Sequence, residues 1–307
     1  MKILVTGGLG AVGAPLVDSL RKKGNEVWVA DLPHHHGLNG KYYFRCNIGH
    51  YQQLVRIFEN NQFDFVYNLA GEFGRMNGED FYESLWMTNA IGTKNIIRFQ
   101  EKYGFKLIHF SSSEVYGNYH GLMSEDALDK YPIRQMNDYA ISKWVNEMQI
   151  GNSRATKGTQ SVCVRLFNTY GPGEPYSDYR SVICLFIYRA LHNMPYTVYL
   201  NHHRTFTYID DCVQALSNIC SNFKDGKVYN IASTSYQDIK NVSDLILKHL
   251  GKKDSLVTYH EIEKHNTLDK QTDNRKAVAD LNFKESVDLN EGLKRTIAWF
   301  KDYYRIA

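Results

Sequence analysis

The chain of 307 residues lacks a strong bias of charge: 36 basic residues against 33 acidic ones leave a formal net charge of +3. That balance gives no argument for nucleic acid or an anionic membrane as partner, while a phosphorylated small molecule is compatible with it. No apolar run approaches the roughly 20 residues of a membrane span. Met1–Val5 leads directly into a strand-like run, so no signal peptide is expected. Cysteine is scarce. Cys46, Cys163, Cys184, Cys212 and Cys220 are scattered without a C-x-x-C pair. An odd, unpatterned set reads as reduced core thiols and points to the cytoplasm. Internal repeats, low-complexity tracts and a clear flexible linker are also missing. The 22 tyrosines are many but dispersed, as core and surface filler. What is present is ordinary: 43% hydrophobic and 22% charged residues, in a chain long enough for a sizeable core and two lobes.

Short β-rich runs alternate with helical periodicity through the first half. Ile3–Val5, Val27–Ala30, Phe65–Leu69 and Leu107–Phe110 are predicted strands. Gly13–Lys23, Tyr51–Asn60 and Glu83–Tyr103 carry apolar residues at three- and four-residue spacing. A helix around Tyr139–Met148 and a strand over Ser161–Leu166 follow. This alternation predicts an α/β fold with a doubly wound parallel sheet. After Gly171-Pro172-Gly173-Glu174-Pro175 the rhythm becomes mixed, with helices predicted over Val182–Leu191, Asp210–Cys220, Asn241–Leu250 and Glu291–Tyr304. A smaller second lobe is therefore expected from about residue 170.

Between the first strand and first helix lies Thr6-Gly7-Gly8-Leu9-Gly10-Ala11-Val12-Gly13, which contains G-x-G-x-x-G. Glycine there allows a tight turn and close approach of backbone to a pyrophosphate, at a helix N-terminus that favours the anion. Asp31 ends the second strand, 18 residues beyond Gly13, at the spacing of an acid on an adenosine ribose. An acid in that place favours NAD over NADP. His34-His35-His36 follows at once. Three successive residues cannot all face one ion in regular structure, so a solvated loop is expected and no metal site.

Tyr139-Ala140-Ile141-Ser142-Lys143 places a phenol and an ammonium on one helical face. A cation beside the phenol is expected to lower its pKa and make Tyr139 a general base, with Ser112 bonded to the same substrate oxygen.

With these motifs in view, the sequence resembles the extended short-chain dehydrogenase/reductase family, the nucleotide-sugar epimerases and dehydratases. The resemblance covers nearly the whole chain. It rests on Thr6–Gly13, Asp31, Asn68-Leu69-Ala70, Asn89, Gly92-Thr93 and Asn95, Ser111–Gly117, Tyr139/Lys143 and Arg165–Pro172. It continues through Arg204–Asp211 to Gly292-Leu293 and Trp299. It implies a Rossmann NAD-binding domain over residues 1–170, with a returning segment near 205–233, and a smaller α/β substrate lobe over 171–307. It implies bound NAD, a nucleotide-sugar substrate, and a homodimer joined by helices near 83–103 and 138–150. The family pattern assigns Ser112, Tyr139 and Lys143 to oxidation of the sugar at C4. It assigns Gly7, Gly10, Ala11, Val12, Gly13, Asp31, Asn47, Ile48, Leu69, Ala70, Gly71, Asn89, Tyr139 and Lys143 to the cofactor, and Asn168, Arg180 and Arg204 to the substrate. Asn68 departs from the pattern by replacing a common histidine. Asn47-Ile48 replaces an Asp-hydrophobic pair, and Gly71–Trp86 matches no familiar version.

Ser113-Glu114 bears on the reaction. The 4,6-dehydratases carry Asp-Glu there, and simple 4-epimerases usually lack the acid. The form S-E-V-Y-G looks like UDP-glucuronate decarboxylases, so decarboxylation is the closest motif match, with epimerisation and dehydration as alternatives. Glu114 is expected to act after C4 oxidation, with a pKa raised by desolvation. A non-catalytic NAD-binding regulator predicts a damaged Ser/Tyr/Lys set, whereas this one is intact. A simple dehydrogenase would release NADH on turnover.

Overall fold

The computed structural model describes residues 1–33, 42–263 and 266–306. His34–His36, expected as a solvated loop, lie outside them. Six strands occur in the first 166 residues: β1 (Lys2–Thr6), β2 (Glu26–Asp31), β3 (Tyr43–Arg45), β4 (Phe65–Asn68), β5 (Lys106–Ser112) and β6 (Ser161–Leu166). With Val228–Ile231 they form one seven-stranded sheet, ordered (228–231)-β6-β5-β4-β1-β2-β3. All its pairings are parallel. The chain winds outward from β1 to β3, then returns to the other side of β1 with β4. The crevice at that switch point, beyond the strand carboxyl ends, is where ligands sit in such sheets.

Strands buried on both faces need continuous apolar character, which β1 and β4 have. On one face Ile3, Val5 and Tyr67 meet Leu16 and Leu20 of α1 (Gly13–Lys22), with Cys212 and Leu216 of the helix Ile209–Asn218. On the other, Leu4 and Val66 meet Leu54 and Phe58 of α2 (Tyr51–Glu59) and Ile96 and Phe99 farther along. A separate core gathers Ile183, Phe186, Val242, Ile246, Leu293 and Phe300 beyond residue 170. There the strands are short. Asp269–Lys270 runs parallel to His203–Thr205, which also pairs antiparallel with Tyr236–Asp238.

One element departs from the periodicity. Glu83–Tyr103 is helical throughout, as expected, but one of its turns is π-helical. α3 (Arg75–Asp80) and α4 (Tyr82–Trp86) precede a π-helical turn at Met87–Gly92, and α5 (Thr93–Tyr103) follows. The wide turn holds the buried Asn89, and a Cβ on Gly92 would lie 2.7 Å from Ile48. Such turns concentrate at functional sites. All five cysteines are buried and unpaired. Among the described residues no helix is long and apolar enough to cross a membrane.

Candidate active site

The crevice holds a cleft of about 470 Å³. Its floor is backbone. Gly7 has φ +70°, and a Cβ there would stand 2.7 Å from the Ala70 nitrogen; one on Gly13 would stand 2.1 Å from the Gly7 oxygen. No side chain caps the start of α1, and its first turn has no acid. Its dipole therefore favours an anion, while Ala14 N already donates to Gly10 O at 2.9 Å. Asp31 accepts hydrogen bonds from Leu9 N (2.8 Å) and Leu32 N (2.7 Å), tying the glycine loop to the end of β2. Every residue expected to touch the cofactor lines the cleft except Asn89. Asn89 instead clasps both backbone groups of Glu72 (2.8 and 3.0 Å) and donates to Ser142 Oγ at 3.0 Å. It ties the loop after β4 to the helix Asp138–Lys157.

Asn68 sits beneath this floor. It accepts from Thr6 Oγ1 at 2.7 Å, donates to Thr93 Oγ1 at 3.2 Å and lies 3.3 Å from His109 Nδ1. An amide there bridges β1, β5 and the start of α5, all buried.

Ser112, Tyr139 and Lys143 line the same cleft. Ser112 ends β5 and accepts from Glu114 N at 3.2 Å, which starts the tight turn Ser113–Tyr116. Asn137 caps the helix that carries Tyr139 and Lys143, accepting from Ala140 N at 2.9 Å. One turn beyond Lys143, Glu147 accepts from Ser111 Oγ and from Arg165 at 3.0 and 2.7 Å, locking helix to strand end. Lys143 Nζ donates to the Phe110 carbonyl at 2.9 Å and stands 5.9 Å from the Tyr139 ring centre.

The expected depression of the Tyr139 pKa is not found. Burial pushes the phenol up to about 12; a hydrogen bond to Ser112 opposes this and the Glu114 charge adds to it. Burial also pulls Lys143 down to about 8. The ammonium is directed to a carbonyl, so desolvation wins in the chain alone.

Glu114 is corrected in the opposite sense. Burial pushes its carboxyl up, but the Lys270 ammonium and the charges of Arg204 and Arg75 prevail and hold it below the usual range. Lys270, 2% exposed, forms an ion pair with Glu114 across 156 residues of chain. Sequence reading missed it. Its only signal is the parallel register that sets Lys270 opposite Arg204. Arg204 is also nearly buried and donates to the carbonyls of His203 (2.9 Å) and Leu268 (2.6 Å). Ser113, Glu114, Asn168 and Arg204 are not part of the cleft wall. The Asn168 amide donates to Thr205 O at 3.0 Å, from a residue with φ 32°. Arg180 does line the cleft. Its guanidinium lies 4.6 Å over the Phe73 ring, and its buried Nε has no hydrogen-bond partner. Among the described residues no cluster could hold a metal ion.

The description of the NAD dependent epimerase/dehydratase family matches residues 3–232. This chain belongs to that family. Like the family, it depends on NAD, and the glycine floor, the open helix N-terminus and Asp31 fit such a dinucleotide. UDP-N-acetyl-alpha-D-glucosaminuronate decarboxylase of Bacillus cytotoxicus is 30% identical over 317 residues, 98% of each chain. UDP-glucose 4-epimerase of Thermotoga maritima, solved with UDP-glucose, superposes with a TM-score of 0.89 at 26% identity, over 99% of this chain and all of that one. UDP-glucuronic acid 4-epimerase of Bacillus cereus, solved with UDP-glucuronic acid and NAD, gives 0.86 at 25% over the same shares. In this epimerase/dehydratase chain the Ser-Tyr-Lys set stands on one cleft wall, with the Glu114–Lys270 pair behind it.

Proposed function

We propose that the protein is an NAD-dependent enzyme that oxidises a nucleotide sugar at C4 and then removes a carboxylate from C5. The observation that carries this reading is Glu114, paired with Lys270 two residues past Ser112 and within electrostatic reach of Tyr139. The dinucleotide is held by the glycine loop, Asp31 and the β4 loop. When bound, NAD supplies the hydride acceptor and a positive ring near the phenol. Tyr139 takes the proton of the C4 hydroxyl, and Ser112 orients that oxygen. The ketone left at C4 weakens the bond from C5 to its carboxylate. That bond breaks, its electron pair moves to the C4 oxygen, and carbon dioxide leaves. Glu114 positions the water that returns a proton to C5, and reduction of the ketone completes the cycle. Arg180, its Nε unpartnered against the cleft, takes the substrate diphosphate; Asn168 and Arg204 shape the substrate side.

The same reading includes a homodimer. Met87, Ile91, Ile141 and Met148 are exposed apolar residues on the neighbouring segments 87–103 and 138–157, a patch suited to a second copy. Size-exclusion chromatography with light scattering tests this directly. Unpaired cysteines support a cytoplasmic location.

Mass spectrometry of products from UDP-, GDP-, dTDP- and CDP-sugars tests the reaction. Loss of one carbon dioxide is expected. Loss of water marks a dehydratase, an unchanged mass with altered sugar marks an epimerase, and net NADH marks a simple dehydrogenase. No turnover with an intact fold marks a regulator.

A further inference from the structure

The segment Gly71–Trp86, which the family pattern leaves unmatched, puts Gly71, Glu72 and Phe73 on the cleft wall. Phe73 is held from both sides. Before it, the backbone of Glu72 is clasped by Asn89 at 2.8 and 3.0 Å, and the Glu72 carboxylate accepts from Asn77 at 2.9 Å and Ser84 at 3.0 Å. After it, Gly74 turns the chain at φ +87°, a conformation that favours glycine, beside the backbone of Tyr179. Farther on, the Tyr179 hydroxyl donates to Asp80 at 2.9 Å, and Phe81 meets the Tyr179 ring edge-on at 5.7 Å. The segment is thereby docked against Tyr179, the residue before Arg180.

Arg180 lines the same cleft, and its guanidinium stands 4.6 Å from the centre of the Phe73 ring. That separation falls inside the reach of a cation–π contact, about 6 Å. The buried Nε has no hydrogen-bond partner. Glu174, also on the cleft wall and within reach of the Arg180 charge, accepts instead from Ser181 N at 3.1 Å and Ser181 Oγ at 2.6 Å. A ring face has no lone pair, so it steadies a guanidinium without using any of its N–H donors. A carboxylate in the same place would take up those donors and would repel an incoming phosphate.

We propose that Phe73 is a positioning residue: its ring fixes the Arg180 guanidinium in the cleft and leaves the N–H donors free for the diphosphate of the nucleotide sugar. This deepens the proposed function and rests on the diphosphate role given there to Arg180. A long side chain ordered before its ligand arrives loses less freedom on binding, and that saving appears as affinity.

The test is calorimetry on NAD-loaded protein with UDP, which carries a diphosphate and no sugar to react. Phe73→Leu and Phe73→Met, both without a ring, should each weaken UDP by about 3- to 30-fold, the range of a cation–π contact, and Phe73→Tyr, which keeps the ring, should stay within about twofold. Arg180→Gln should weaken UDP as well. In that background Phe73→Leu should cost no more than about twofold, because the ring acts through the guanidinium. An equal loss from Phe73→Leu with and without Arg180 overturns the inference, since the ring would then act on the ligand or the fold directly. Unchanged affinity in both ring-free variants, while Arg180→Gln loses affinity, also overturns it and leaves the proposed function standing. If Arg180→Gln binds UDP as the unmodified protein does, the role assigned to Arg180 falls and the inference falls with it. Binding of none of UDP, GDP, dTDP and CDP removes the nucleotide-sugar reading itself, and the inference with it.

Discussion

The two ends of the cleft are built from different materials. At the cofactor end the floor is main chain from one short stretch, Gly7–Gly13, and its acid, Asp31, sits on the neighbouring strand. Beyond the wall at the other end, where the sugar is proposed to sit, side-chain pairs are drawn from across the chain. Glu114 meets Lys270, and Arg75 meets Glu263 across 188 residues. A backbone site tolerates variation in side chains as long as its glycines stay. A side-chain site changes its ligand with single substitutions, which is where a family sharing one cofactor can diversify its substrates.

The sharpest break between the ends is expected at Tyr139, which joins them. Tyr139→Phe should leave fold and NAD affinity intact and lower turnover by about 10²–10⁴-fold, the contribution of a positioned base, or more. Single-turnover kinetics with titration of bound NAD checks both halves. Near-normal turnover removes Tyr139 from the reaction.

Glu114→Gln should affect stability as well as chemistry. It strands the Lys270 charge, and breaking a buried pair typically costs about 3–5 kcal/mol. The double change Glu114→Gln/Lys270→Met should recover most of that loss in urea unfolding. The sign with pH follows from the depressed carboxyl: the stabilisation is present above the unfolded value and is lost as pH falls through the folded one. With substrate, Glu114→Gln should still reduce NAD and stall at the 4-keto stage. Final product at the normal rate makes Glu114 structural.

These contrasts explain what could be read in the sequence. The parallel sheet follows from alternating apolar strands and amphipathic helices, and the cofactor end from glycines adjacent in sequence. Tyr139 and Lys143 share a helix turn, so their common face was legible. Their pKa values were not, because these depend on burial and on the Phe110 carbonyl that takes up the ammonium. Lys270 carried no local signal, since only the pairing of two- and three-residue strands brings it to Glu114. The π-helical turn at Met87–Gly92 also goes with tertiary contacts, those of Asn89 with Glu72 and Ser142.

Lys143 offers a measure of the shared wall between the ends. Its folded pKa near 8 lies below the 10.5 of a free lysine. The unfolded chain therefore binds more protons between these values, and stability rises with pH across that window. In the NAD-free protein the slope should approach about 1.4 kcal/mol per pH unit, and Lys143→Met should remove it. A wild type with no slope in urea unfolding across that window would place the ammonium in water.

The smallest effect is expected at the cofactor end, and it completes the comparison. Asp31 uses one oxygen on Leu9 N and the other on Leu32 N, so its first task is to hold the glycine loop. Asn in its place keeps an acceptor and loses the charge. NAD should then bind about 10-fold more weakly, near 1.4 kcal/mol, within the range for one hydrogen bond to a charged group. NADP should gain relative to NAD, because the charge that repels its extra phosphate is gone. Affinity for the sugar nucleotide should not move, since Arg180, proposed to take its diphosphate, belongs to the segment beyond residue 170 and not to the glycine loop. Calorimetry with both dinucleotides and one sugar nucleotide decides the matter. An equal loss of sugar affinity would show that the two ends are coupled through the glycine loop, and the separation drawn between backbone and side-chain sites would fail.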